Sequence, residues 1–119
     1  MTGVLNVDTI ADNAGTGPVT LTKQQAAKTW VNFRGTSTVQ VNDSFSVSSV
    51  TDNGTGSYAA NNTNSMSDAN YNVACISNDV SIGTSSTNTA SLYKIFVYNS
   101  SGSAVDAGVV HGNSHGDLA

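Results

Sequence analysis

The sequence predicts an all-β chain: an antiparallel β-sandwich of jelly-roll-like type with one short helix near its N-terminus. Three observations carry that expectation. Val outnumbers Leu 14 to 4 and Glu is absent, whereas helices favour Leu, Glu and Lys and β-branched residues suit a pleated surface. Short runs of alternating apolar and polar residues recur at roughly 8–12-residue spacing, separated by Gly, Asn, Asp and Ser turns. At 119 residues the chain has room for a single core.

The elements follow in order. Val4–Ile10 reads as a short strand, and Asp12–Pro18 as a turn-rich hinge that sets residues 1–20 apart as an attachment and trimerisation segment. Residues 21–29 form the one expected helix, with Thr20 or Thr22 as cap and Lys28 near its C-terminal end. About two turns are not stable alone, so Leu21, Ala26 or Ala27, and Trp30 are its expected contacts. Residues 30–119 make the β-domain. Its expected strands lie over Trp30–Arg34, Thr38–Val41, Ser44–Val47, a segment opening at Tyr58, Tyr71–Ile76, Val80–Ile82 and Leu92–Tyr98. Asp52–Gly56 is a strong turn because Asn-Gly tolerates positive φ. In Leu92–Tyr98 both faces are apolar apart from Lys94, which points to a second covered face. A small domain short of apolar residues has reason to complete its interior with neighbouring subunits.

Composition excludes several functions. Only four cations (Lys23, Lys28, Arg34, Lys94) face eight aspartates, for a net charge of −4, so no basic stripe for nucleic acid is present. No apolar run reaches the length of a membrane span, and Met1–Ile10 lacks the pattern of a secretory signal. One cysteine, Cys75, rules out an intramolecular disulfide, and its phase with Tyr71 and Val73 reads as a small buried hydrophobe.

Trp30-Val31-Asn32-Phe33 with Gly35-Thr36, then Ser44–Tyr58 and Met66–Tyr71, resemble the distal domain of bacteriophage tail-fibre or tail-tip proteins common in marine and cyanobacterial phages. Leu5–Ile10 is similar to the lead-in such proteins place before this domain. The resemblance spans about residues 4–110 and is most specific over Val50–Tyr71. It implies a homotrimeric virion component that contacts the host surface and carries no catalytic residues; the missing export signal points to assembly in the host cytoplasm. The end of the chain, His111–Asp117, departs from the pattern and leaves the length of the last strand open.

The expected partners are therefore the chain itself, other phage tail or baseplate proteins through the N-terminal segment, and a host-envelope polysaccharide. Ser, Thr and Asn together number 45, a supply of neutral hydrogen-bonding groups for sugar hydroxyls. Candidate glycan-binding residues are Tyr58, Asn61, Asn62, Asn64, Asn88 and Asn99, with Tyr93 or Tyr98 as further platforms. No cofactor is expected. His111 and His115 lie four apart with a glycine after each; the bland reading is a polar tail, and the sharper one is rings of imidazoles holding a transition metal on a trimer axis. Asp8 with Asp12, or Asp106 with Asp117, are the only carboxylate pairs worth weighing for glycoside hydrolysis, and each lies in a turn-rich segment. The alternatives to a glycan-binding fibre are a purely structural tail adaptor and, less favoured, a small depolymerase.

Overall fold

A computed structural model describes residues 3–4, 6–7, 14, 26–78, 82–85 and 87–119. The expected strand Val4–Ile10, the hinge and most of the expected helix lie outside the described residues. At the helix's far end, Ala26 and Ala27 carry no regular structure and Thr29 already opens a strand. No helix occurs among the described residues.

Eight strands form two antiparallel four-stranded sheets. They are β1 (Thr29–Arg34), β2 (Gln40–Phe45), β3 (Val47–Gly54), β4 (Ser57–Asn62), β5 (Asn72–Ser77), β6 (Ile82–Ser85), β7 (Leu92–Tyr98) and β8 (Val110–His115). The strand orders are β2-β1-β8-β5 and β3-β4-β7-β6. The all-β, antiparallel expectation holds. The two sheets meet through one core of Val31 and Phe33 from β1, Tyr58 and Ala60 from β4, Tyr93, Ile95 and Val97 from β7, and Val110 from β8, joined by Met66, Tyr71 and Ala107. Phe33 meets Tyr58 edge-on across the gap, ring centroids 5.1 Å apart and planes at 68°, the geometry the aromatic quadrupole favours.

Strands β2 and β3 are almost one strand. Only Ser46 separates them, and its φ of 54° turns the chain from one sheet into the other. The hairpin between β3 and β4 sits slightly beyond the Asn-Gly pair. Asp52 Oδ1 accepts the Gly54 amide at 2.9 Å, and the register shifts between Asp52 and Gly54. The turn is then made by Thr55-Gly56, with Gly56 at φ 64°. A Cβ on Gly56 would lie 2.5 Å from the Val97 carbonyl oxygen, so backbone as well as φ demands glycine there.

The greatest departure from expectation is β8. With its two histidines and Gly112 it reads as a polar tail, yet it is a central strand between β1 and β5. Inward positions Val110, Gly112 and Ser114 are buried and alternate with outward His111, Asn113 and His115. Gly112 is inward because the sheets approach closely: a Cβ there would be 2.9 Å from Ile95 Cδ1 and 3.1 Å from Tyr93 Cε2. What breaks a strand pattern in sequence here is what lets two sheets come together.

Candidate functional site: the two outer sheet faces

Alternation along β1 places Val31 and Phe33 in the core and Trp30, Asn32 and Arg34 outside. Trp30 pairs with Phe45 of β2 and with Asn113 of β8, and Asn113 pairs in turn with Ala74 of β5. The outer face of the first sheet therefore carries the cross-strand row Phe45, Trp30, Asn113, Ala74. Trp30 is 39% exposed and Phe45 53%. The adjoining row is Asp43, Asn32, His111 and Ile76, the last 66% exposed. Asn42, pushed out by the bulge in β2, donates from Nδ2 to Asn32 Oδ1 at 3.1 Å. Asn113 Oδ1 is buried and accepts no hydrogen bond. Two exposed aromatic rings thus lie among three amides.

The second sheet presents a different surface. On β7, Tyr93, Ile95 and Val97 are fully buried while Leu92, Lys94, Phe96 and Tyr98 are half-buried on the outer side. Phe96 and Tyr98 stack with centroids 6.4 Å apart and planes 12° from parallel. The expectation that β7 has two apolar faces holds, and among the described residues only the inner one is fully buried.

The sequence-derived glycan candidates fall in scattered places. Tyr58 is fully buried, so it is no platform: its ring fills the core, and its hydroxyl lies 2.7 Å from Asp106 Oδ1 and 3.1 Å from Gly35 O. Burial first, and then Asp106 as hydrogen-bond acceptor and as charge, push its pKa well above the usual tyrosine value. Tyr93 is likewise fully buried and is no platform either. Asn61 is on the outer face of β4, where Nδ2 donates to Ser49 Oγ and Thr51 Oγ1, both at 3.0 Å. Asn62 donates to Ala90 O at 3.4 Å, and its Oδ1 is buried without a partner. Asn64 is exposed in the β4–β5 connection, and Asn88 is half-buried ahead of β7. Asn99 shapes its own turn, with Oδ1 accepting from Ser101 N at 2.9 Å and Ser103 N at 3.0 Å. Of the six, Asn61 and Asn62 are neighbours, and the structure gathers no common site from the set.

His111 and His115 do not converge. Four residues along a strand is roughly 13 Å, so two imidazoles of one chain cannot share an ion. No group of three or more His, Cys, Asp or Glu suited to a metal occurs among the described residues. Asp106 is occupied by the Gly56 amide, at 2.8 Å, and the Tyr58 hydroxyl, which makes it a structural acceptor. Asp117 accepts from Ser67 N through its backbone oxygen at 2.8 Å. Asp8 and Asp12 lie outside the described residues. Cys75 is half-buried, with burial pushing its thiol pKa up, away from the thiolate that reactivity needs.

Sequence reasoning missed the Trp30–Phe45 pair. Its signal was present: Trp30 is out of phase with Val31 and Phe33, and Phe45 stands between Ser44 and Ser46. The pairing itself depends on a bulge between strands that no single segment reveals. Comparisons with protein-family models, curated proteins and solved structures return no match to this chain.

Proposed function

We propose that this chain is the host-facing β-domain of a bacteriophage tail fibre or tail tip, a jelly-roll-like sandwich that works as a homotrimer and adsorbs to a host-envelope glycan. The resemblance over Val50–Tyr71 supplies the tail assignment. The observation that carries the reading is the contrast between the outer faces. One bears half-buried Leu92, Phe96 and Tyr98, an apolar strip suited to a second copy. The other sets exposed Trp30 and Phe45 among neutral amides, groups suited to sugar C–H surfaces and hydroxyls. Weak single sites suffice for adsorption because many copies on one virion bind together.

The test has two measurements. Light scattering should give three times the 12.1 kDa chain mass. The purified protein should be retained by intact host cells and by their extracted envelope polysaccharide, without shortening the polymer. A species that binds tail proteins and ignores cells is the structural adaptor instead; release of oligosaccharides marks a depolymerase.

A further inference from the structure

We infer that the outer face of β2-β1-β8-β5 is a subsite for an uncharged pyranose chain, one ring stacked on Trp30 and the chain running across the strands from Phe45 towards Ala74. This rests on the glycan-adsorption reading and names the surface and sugar chemistry that reading leaves open.

Four features converge on it. From Trp30 the row steps down in side-chain size through Asn113 to Ala74, so the Trp30 ring has Phe45 on one side and a lower shelf on the other. Pyranose rings carry a flat C–H side that covers an aromatic face and hydroxyls that need donors and acceptors at the rim. The rim exists: Asn32, Asn42 and Asn113 lie within one or two cross-strand positions of Trp30. Asn113 has an amide oxygen with no donor, and turning the amide about χ2 is an ordinary freedom that lets a hydroxyl beside Trp30 supply one. Charge argues for an uncharged ligand. The platform row holds no ionisable group; Asp43 and His111 stand in the next row, Arg34 ends β1 and Lys28 just precedes it, so no excess of one charge faces the platform. A second copy is the poorer occupant, because burying this face under protein would strip water from three amides, whereas the Leu92–Tyr98 face has an apolar strip for that purpose.

Trp30 is the only tryptophan, so fluorescence excited to the red of tyrosine absorption reports on this face alone. The full-length protein is titrated with soluble dextran, mannan and galactan as uncharged polymers and polygalacturonate as the acidic one. The expected result is binding to at least one uncharged polymer, accompanied by a shift in Trp30 emission and slower quenching by iodide. Trp30→Ala should weaken that binding about tenfold or more, Trp30→Phe less, and Asn113→Ala by about three- to tenfold. Far-UV circular dichroism confirms that each variant keeps its fold. Binding that leaves Trp30 emission and quenching unchanged, or that survives Trp30→Ala, overturns the subsite while adsorption stands. Binding only to polygalacturonate, or to none of the polymers while host cells still retain the protein, overturns the uncharged-sugar assignment. Failure to bind either cells or polymers removes the adsorption reading and this inference with it.

Discussion

The hydroxyl of Tyr58 donates into a carboxylate and a carbonyl, whereas that of Tyr93, equally buried, has Thr29 nearby but meets no group at hydrogen-bonding geometry. Removing the first strands Asp106 Oδ1 and Gly35 O with one donor fewer; removing the second deletes an unsatisfied polar atom. Tyr58→Phe should therefore cost about 1–3 kcal/mol and Tyr93→Phe should gain about 1 kcal/mol, read from urea denaturation midpoints. Alkaline pH tests the same residues. Burial lifts Tyr93 to about 12, with Thr29 pulling it down and Tyr71 and Cys75 adding to the rise. Tyr58, Tyr71 and Cys75 are raised as well, each led by burial. A raised folded pKa favours the neutral form in the fold. Its stabilisation is complete below the unfolded value, 9.0 for the thiol and 10.0 for the phenols, and is lost as pH climbs towards the folded one. Denaturation midpoints should be insensitive to these groups up to about pH 9 and fall steadily above it. The part of that fall between pH 10 and about 12 should shrink in Tyr93→Phe. A midpoint in that variant as pH-sensitive as in the parent would contradict the burial argument.

Among the strands, the two informative glycines do different work. Gly56 holds φ at 64° against the backbone of Val97 and Val105, which has nowhere to move. Gly112 faces the side-chain ends of Ile95 and Tyr93, which can yield a little. Gly56→Ala should thus cost about 3 kcal/mol, from left-handed strain plus a backbone clash. Gly112→Ala should cost about 1–2 kcal/mol, overpacking partly offset by the lost flexibility of the unfolded chain. Thermal melts of both variants check the order as well as the size; a Gly112→Ala variant as stable as the parent would mean that the sheets are not held as close there as described, and equal costs that Ile95 and Tyr93 cannot yield. These positions also show why some elements are legible in the sequence and others are not. The β7 strand is readable end to end, since a central strand apolar on its core side and nearly so outside is a continuous run, Leu92–Tyr98. The β8 strand hides because its inward row is Val, Gly and Ser, residues chosen by a facing sheet distant in sequence. The β2–β3 corner hides because Ser46 adopts a glycine-like φ without being glycine. The Trp30–Phe45 pair needs register, which is a property of two strands together.

For the whole molecule, the decisive question is what covers the outer side of β7. Its inner side is closed by Phe33, Tyr58 and Val110, so further burial there has nothing left to contribute. On the outer side Leu92, Phe96 and Tyr98 keep part of their surface in water beside a single cation, Lys94. Such surface stabilises assembly at roughly 25 cal/mol per Å² removed from water, against the entropy cost of association. Three copies sharing this strip would each gain from the same residues, as closed symmetry requires. The double variant Leu92→Ser with Phe96→Ser should accordingly reduce the solution mass from three chains to one while far-UV circular dichroism stays that of a β-protein. It should also weaken retention on a multivalent glycan surface far more than binding to a short soluble oligosaccharide, because only the former draws on several sites at once. A parent protein that already sediments as one chain, or a variant that still forms three, would place the interface elsewhere and leave the β7 strip as exposed surface without a partner.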